Sequence, residues 1–169
     1  MVNFLITTLL KASLNCKSSC CDAILEIKNN HPQVQFVYPV HFNPNVREVV
    51  NRKLSTTEGI FLVEPLDYPR LIWIMEKSTI ILTDSGGIQE EAPALGKPVL
   101  VMRDSTERPE AVASGAAALV GTSTESILNK TEDLLNNSES YNLMAKTKNP
   151  YGDGTAANKI ALILSRVSI

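Results

Sequence analysis

Residues Asp84 to Arg108 read Asp-Ser-Gly-Gly-Ile-Gln-Glu-Glu-Ala-Pro-Ala-Leu-Gly-Lys-Pro-Val-Leu-Val-Met-Arg-Asp-Ser-Thr-Glu-Arg, and this stretch indicates the fold. One continuous apolar run, residues 79–82, comes just before it, and another, residues 98–102, lies within it. Short continuous apolar runs are typical of strands that are buried on both faces of a parallel sheet. Between the two runs, the residues from Ile88 to Leu95 predict a helix. The stretch therefore predicts a strand–helix–strand unit.

The same alternation of strands and helices continues on both sides of this unit. Further strands are predicted at Phe4–Ile6, Val34–Tyr38, Ile60–Val63 and Ala118–Val120. Further helices are predicted at Asn45–Arg52, Tyr68–Glu76, Thr124–Leu135 and Ala156–Val167, and Pro109 is predicted to open another. Such alternation indicates an α/β fold with a Rossmann-like, doubly wound parallel sheet, in which ligands bind beyond the carboxyl ends of the strands. We expect one domain over residues 1–169.

Composition narrows the possible partners and location of the chain. Its 169 residues are 44% hydrophobic and 20% charged, which fits one α/β domain with its own core. A net charge of −2 gives no electrostatic basis for binding nucleic acid or an anionic membrane, and no apolar run is long enough to span a bilayer. Three cysteines, Cys16, Cys20 and Cys21, crowd one segment without spaced pairs, which favours a reducing cytoplasm and no metal site.

The turn Ser85-Gly86-Gly87 is a candidate anion site. A glycine pair lets a bulky anion approach the backbone, and the first N–H groups of the following helix lack partners within it and carry partial positive charge. Phosphate is often held in this way, and Ser85 could cap the helix or bind a phosphate oxygen. Glu91 follows on the same helix, where its carboxylate could accept hydrogen bonds from a ribose diol. The alternative for the glycine pair is a purely architectural turn. The alternative for Glu91 is a position on a solvated helix face, which suits Glu90 better.

Two other segments follow predicted strands and so reach the same edge of the sheet. Residues 102–110 are rich in charged and hydroxyl groups, and the planar guanidinium of an arginine suits phosphate. The alternative for this segment is a surface cluster of weak ion pairs. His41 follows the second strand and is either a ligand contact or a hydrogen-bonded structural residue. His31 belongs to the opposite end of the sheet, where we expect it to be solvated.

Taken together, these segments resemble the carboxyl-terminal domain of the non-hydrolysing UDP-N-acetylglucosamine 2-epimerases. The resemblance is carried by residues 37–46, 84–112, 121–122 and 149–154, in that order. It implies the second half of a two-domain fold like that of the GT-B glycosyltransferases, with the amino-terminal domain absent from these residues. It also implies UDP or a UDP-N-acetylhexosamine as ligand, and neither a cofactor nor a metal.

The resemblance also implies roles for particular residues. Ser85, Gly86 and Gly87 would hold the diphosphate, and Glu91 would bind the ribose. Arg108 would line the nucleotide-sugar site, and Glu107 and Arg108 are the candidate catalytic residues. The histidine that matches His41 helps to hold a second, activating UDP-N-acetylglucosamine in some bacterial members of the family.

The implied reaction interconverts UDP-N-acetylglucosamine and UDP-N-acetylmannosamine by elimination of UDP and its addition to the opposite face. The family's acid and base carboxylates come largely from the amino-terminal domain, so we expect the isolated chain to be inactive. A Gly-His-Arg-Arg-Glu-Asn segment of the family is missing at residues 7–15. A glutamine and a phenylalanine that usually line the uridine pocket are Leu66 and Leu71 here.

Two other functions remain open on the sequence. The chain could be a non-catalytic remnant that binds UDP-sugars, or the donor-binding half of a GT-B glycosyltransferase. The Gly-Gly-Ile-Gln-Glu-Glu string, together with residues 103–108, favours the epimerase over the transferase. An exposed interdomain face would favour a homo-oligomer, or association with an amino-terminal half supplied as a separate chain.

Overall fold

A computed structural model describes residues 4–8 and 14–166, and these contain one parallel sheet of six strands. The strands are β1 Phe4–Thr8, β2 Gln35–Pro39, β3 Ile60–Val63, β4 Ile80–Thr83, β5 Val99–Val101 and β6 Ala117–Leu119. They lie in the order β3-β2-β1-β4-β5-β6, and every neighbouring pair is parallel. The direction of winding reverses between β1 and β4, which is where a ligand crevice opens in such sheets. The predicted α/β, doubly wound fold is confirmed.

Helices connect the strands and cover both faces of the sheet. They are α1 Leu14–Asn30, α2 Pro44–Leu54, α3 Tyr68–Lys77, α4 Gly86–Glu91, α5 Pro109–Ser114, α6 Thr124–Asn136, α7 Ser138–Ala145 and α8 Ala156–Leu164. A 3-10 helix at Ala92–Leu95 continues α4, so the helix predicted from Ile88 to Leu95 is split into two kinds of turn. The predicted last helix ends at Leu164 instead of Val167, and residue 167 lies outside the described residues.

Two of these helices, α1 and α7, are absent from the sequence prediction. The buried face of α1 includes Cys20, Cys21, Ile24 and Ile27, which recur with helical spacing. Because two of the four are cysteines in a segment rich in serine and lysine, the apolar pattern is weak in the sequence. His31, just beyond α1, was predicted to be solvated, but only 14% of its side chain is exposed and it lies 3.7 Å from Glu132.

The core has two layers, one on each face of the sheet. Ile80 and Leu82 of β4 pack in the layer beneath α1, α2 and α6, whereas Ile81 packs in the layer beneath α3, α4 and α5. Adjacent residues of a strand point to opposite faces, so a strand covered on both sides must be apolar throughout. The continuous apolar runs of the sequence have this origin.

Helices α7 and α8 are the exceptions to this burial, because none of their residues is buried. Large aliphatic side chains on α8 are more than half exposed: Ile160, Leu162, Ile163 and Leu164. Among the described residues, no helix combines the length and the apolar character needed to cross a membrane.

Candidate functional site

A cavity of about 290 Å³ opens at the carboxyl edge of the sheet. Its walls are formed by Pro39, His41, Pro65, Leu66, Tyr68, Leu71, Ser85, Gly87, Ile88 and Glu91. They come from the ends of β2, β3 and β4 and from the helices that follow, so the cavity draws on both sides of the switch point between β1 and β4. Four of the predicted site residues, His41, Ser85, Gly87 and Glu91, are thus brought to one cavity.

Ser85 begins the turn from β4 into α4 and lies at the cavity. Ser85 is the N-cap residue of α4, but within the described residues its side chain makes no capping hydrogen bond, in contrast to the capping role considered for it. Its backbone N–H donates instead to Thr83 Oγ1 at 3.0 Å. The Ser85 side chain lines the cavity, where its hydroxyl can contact a ligand.

The fold itself does not require glycine at positions 86 and 87. Neither residue is among the glycines with positive φ in the described part of the chain. A Cβ atom added at Gly86 would meet Glu107 Oε1 at 3.5 Å, and one added at Gly87 would meet Ser85 Oγ at 3.9 Å. Both distances are ordinary van der Waals contacts. Without side chains, the two glycines leave the backbone of this turn open to close approach.

Two neighbouring carboxylates on α4 have different surroundings. Glu91 lines the cavity, and its pKa is raised because burial and the nearby Glu90 disfavour the charged form. Glu90 forms an ion pair with Arg108, and 40% of its side chain is exposed. The solvated helix face considered for Glu90 is therefore a contact between α4 and the loop after β5.

Glu107 and Arg108 lie beside the turn and are not part of the cavity wall. Arg103 Nη1 donates to Glu107 Oε2 at 2.6 Å, and Arg108 Nη1 donates to the Glu107 carbonyl at 3.1 Å. Hydrogen bonds from its own backbone N–H and from Arg103 hold the pKa of Glu107 below its ordinary value. Gly86 faces Glu107, whereas Gly87 faces the cavity, so the two glycines of the turn have different neighbours.

His41 has a defined hydrogen-bonding state at the cavity wall. The backbone N–H of Asn43 donates to His41 Nδ1 at 3.1 Å. A neutral imidazole that accepts at one nitrogen carries its proton on the other. The Nε2–H group of His41 is therefore the donor that a ligand would meet.

Gln89 and Tyr151 lie near the site, and the sequence analysis gave neither of them a role. Gln89 is fully buried and accepts a hydrogen bond from Thr106 in the loop after β5. Its one sequence signal is that it lies four residues after Ser85, one helical turn away. Tyr151, in the segment 149–154, packs against the core layer under α4 and α5. Burial raises the pKa of Tyr151, to which Glu110 and Glu90 also contribute.

The described residues contain no group of three or more His, Cys, Asp or Glu side chains arranged to hold a metal ion. Cys20 and Cys21 are fully buried in the core. Burial raises the pKa of Cys21 to about 12, which keeps its thiol protonated and therefore a poor metal ligand. Both departures from the family pattern, Leu66 and Leu71, lie in the cavity wall.

Known proteins resemble this chain in sequence and in structure. A probable UDP-N-acetylglucosamine 2-epimerase of Ralstonia nicotianae is 56% identical over 140 residues, which are 83% of this chain and 37% of the relative. The crystal structure of UDP-GlcNAc 2-epimerase from Neisseria meningitidis bound to UDP-GlcNAc matches with a TM-score of 0.91 and 43% identity, over 98% of this chain and 45% of that one.

A third similarity concerns the fold alone. The carboxyl-terminal domain of a group 1 glycosyl transferase from Francisella tularensis matches with a TM-score of 0.65 at 14% identity, over 99% of this chain and 87% of that one. This likeness agrees with the predicted second half of a GT-B fold. The chain spans less than half the length of the two epimerase relatives. The sequence model of the family described as UDP-N-acetylglucosamine 2-epimerase matches residues 11–165, and the chain belongs to this family.

Proposed function

We propose that this chain binds UDP or a UDP-N-acetylhexosamine in the cavity at the carboxyl edge of its sheet. The observation that carries the proposal is the meeting of Ser85, Gly87 and Glu91 in one cavity wall. Family membership supports it, as does the Neisseria relative, whose structure is described as bound to UDP-GlcNAc. In UDP the diphosphate is bonded directly to the ribose, so one ligand can contact the turn and the carboxylate together.

The roles we propose follow from the chemistry of each group. Ser85, Gly86 and Gly87 bind the diphosphate through the serine hydroxyl and the exposed backbone of the turn. Glu91 binds the ribose diol, since an ionised carboxylate accepts from two hydroxyl groups. Its raised pKa makes this contact sensitive to acid, because protonation replaces an acceptor with a donor.

Arg108 is proposed to act on the departing diphosphate, and Glu107 on a proton near it. Elimination of UDP puts negative charge on the leaving group, and a guanidinium stabilises that charge. To stabilise that charge, Arg108 must leave its ion pair with Glu90 and pair with the phosphate instead. The lowered pKa of Glu107 keeps its carboxyl ionised, which suits a hydrogen-bond acceptor or a base.

His41 is proposed to contact a second molecule of UDP-N-acetylglucosamine through its Nε2–H group. The hydrogen bond from Asn43 to Nδ1 supports this role, since it fixes which nitrogen donates. The position of His41 in the same cavity wall as Ser85 also supports contact with the first ligand.

We further propose that residues 1–169 are one domain and that turnover requires an amino-terminal half. The longer relatives support this, because the chain matches only 37% of the Ralstonia protein. The reaction proposed for the assembled protein is the interconversion of UDP-N-acetylglucosamine and UDP-N-acetylmannosamine without a metal or cofactor. We also propose a reducing, cytoplasmic location, which is favoured by an odd number of cysteines without spaced pairs.

One observation favours a second candidate, a UDP-sugar-binding domain without catalysis. Leu66 and Leu71 leave the cavity wall without the glutamine and the aromatic ring of the family, and Glu107 and Arg108 lie outside that wall. This candidate predicts binding without turnover even when an amino-terminal half is supplied.

Calorimetric titration with UDP tests the binding proposal. We expect saturable binding to the parent chain, weaker binding to Glu91→Gln, and unchanged binding to Glu58→Gln, which alters an exposed glutamate far from the cavity. Absence of binding to the parent would overturn the proposal.

A separate exchange assay between the two epimers tests catalysis. It compares the chain alone with the chain mixed with the amino-terminal half of the Ralstonia relative. Exchange only in the mixture supports the epimerase, and UDP binding without exchange in either sample supports the second candidate.

A further inference from the structure

Gln89 is fully buried in α4, and both ends of its side-chain amide are hydrogen-bonded. Its Nε2 group donates to the carbonyl of Ser85 at 3.1 Å, and its Oε1 atom accepts from the hydroxyl of Thr106 at 2.6 Å. A backbone carbonyl can only accept, so the amide nitrogen must face Ser85. The orientation of the amide is thereby fixed by its partners.

The hydroxyl of Thr106 extends this connection to Arg108. A hydroxyl has one hydrogen to donate and lone pairs to accept. Thr106 Oγ1 donates to Gln89 and accepts from the backbone N–H of Arg108 at 3.0 Å. An unbroken series of hydrogen bonds therefore runs from the Ser85 carbonyl to the Arg108 backbone.

We infer that Gln89 is a positioning residue whose buried amide, together with the Thr106 hydroxyl, fixes the Ser85–Gly87 turn relative to the backbone that carries Arg108. The inference rests on the proposed function, because it concerns the arrangement of the same diphosphate site. Neither Gln89 nor Thr106 belongs to the cavity wall, so both act through the residues they hold.

The energetics of burial favour a positioning role over simple packing. An apolar side chain of similar size would fill the same buried space without the cost of burying an amide. A fully satisfied buried polar network instead selects one arrangement of the segments that it joins. Here the joined segments are the proposed diphosphate-binding turn and the arginine-bearing loop.

The test compares one variant that lacks the Thr106 hydroxyl with one that keeps it. Thr106→Val keeps the shape of the side chain, and Thr106→Ser keeps the hydroxyl. We expect Thr106→Val to weaken UDP binding about tenfold, the usual effect of losing a hydrogen bond of this kind. The melting temperature of Thr106→Val should change by less than about 4 °C, and Thr106→Ser should bind UDP as tightly as the parent chain. Thr56→Val, at an exposed position, is the matched control.

Hydrogen–deuterium exchange of residues 103–108 supplies a readout that does not require a ligand. We expect faster exchange in this segment in Gln89→Met and Thr106→Val, no further increase in the double variant, and parent rates in Thr106→Ser. Gln33→Met, at an exposed glutamine, is the control for the first substitution.

Three results would overturn the inference. The first is that Gln89→Met and Thr106→Val exchange residues 103–108 at the rates of the parent chain, and the second is that Thr106→Ser exchanges them faster than the parent. The third is that Thr106→Val loses UDP affinity only in proportion to a lower melting temperature. A parent chain that does not bind UDP would overturn the proposed function alone, since the exchange measurement would still decide the role of Gln89.

Discussion

The guanidinium of Arg108 pairs with the carboxylate of Glu90, and this contact joins the loop after β5 to helix α4. The pair is partly exposed, with 37% and 40% of the two side chains accessible. Ion pairs in such surroundings are worth little to folding, because water and salt screen them. In the absence of a phosphate, Glu90 therefore serves as a weak and replaceable partner for Arg108.

Replacement of Arg108 should affect binding much more than stability. We expect Arg108→Ala to weaken UDP binding about tenfold, whereas the free energy of unfolding changes by less than about 1 kcal/mol. Calorimetry and chemical denaturation measure the two quantities. Arg52→Ala, which removes the exposed partner of Glu48 on α2, is the control and should alter neither. Equal UDP affinity in Arg108→Ala and the parent would exclude a phosphate contact.

The two glycines of the β4–α4 turn should respond to substitution differently from the glycines that the fold requires. Gly86→Ala and Gly87→Ala should keep or slightly raise stability, by up to about 1 kcal/mol, because alanine favours helices. Both should lose UDP affinity. A methyl group at Gly87 would stand at the cavity where the diphosphate approaches the backbone, and one at Gly86 would contact the Glu107 carboxylate beside the turn.

Gly96→Ala provides the contrast for these variants. Gly96 has a φ of 66°, and its added Cβ would lie 3.3 Å from the Ala145 carbonyl. We expect this variant to lose about 1–2 kcal/mol of stability. Thermal melts and UDP titrations check all three variants. Unchanged UDP binding by Gly86→Ala and Gly87→Ala would show that no ligand approaches this turn.

Acid should weaken UDP binding through Glu91. The pKa of Glu91 is raised by burial and by Glu90, so the side chain takes up a proton at a higher pH than an ordinary glutamate. As the pH falls through this raised pKa, the carboxylate loses acceptor capacity and UDP affinity drops. Titrations between about pH 4 and pH 7 measure the effect, and Glu91→Gln should lack this component of the profile.

The same raised pKa affects stability in the opposite direction: acid weakens UDP binding but removes a destabilising charge from the fold. The folded chain binds this proton more tightly than the unfolded chain, so ionised Glu91 destabilises the fold above the raised pKa. Glu91→Gln should therefore melt at a higher temperature at pH 7. That advantage should shrink as the pH falls through the raised pKa and vanish below the ordinary glutamate value. A lower melting temperature of Glu91→Gln at pH 7 would contradict this expectation.

Restoring the family residues in the cavity should strengthen UDP binding. Leu71→Phe adds a ring on which a base can stack, and Leu66→Gln adds a hydrogen-bonding amide at the cavity wall. We expect a gain of about three- to tenfold in UDP affinity from each. Leu143→Phe, at an exposed position on α7, is the control. A loss of affinity in both cavity variants would place the uracil elsewhere.

The exposed aliphatic face of α8 should cause self-association. Ile160, Ile163 and Leu164 recur at helical spacing on one face, and each is more than half exposed. We expect concentration-dependent oligomers in sedimentation velocity, and fewer of them in Ile160→Lys/Ile163→Lys. Leu143→Lys should have no such effect. A parent chain that stays monomeric at high concentration would contradict the prediction.

The fold was predictable because its strands are covered on both faces. Continuous apolar runs such as Ile80–Leu82 indicated these strands without knowledge of their partners. Helix α1 escaped prediction because its buried face depends on Cys20 and Cys21, which give little apolar contrast with the serines and lysine around them. Helix α7 escaped because it is only eight residues long, too short for a repeating apolar pattern to mark it as a helix.

The candidate site was predictable in outline but not in its side-chain partners. Parallel strands end at one edge, so residues that follow different strands, such as His41 and Ser85, were expected to meet there. The pairing of Arg108 with Glu90 and the hydrogen bond between Gln89 and Thr106 depend on how the loop after β5 folds back over α4. Sequence spacing carries no information about that path.

The walls of the cavity come mainly from loops and helix starts after β2, β3 and β4, and hardly at all from the strands. Substitutions such as those at positions 66 and 71 can consequently change what the protein recognises without disturbing the sheet. A lineage could exchange one nucleotide for another, or lose its ligand altogether, and still inherit a polypeptide that folds.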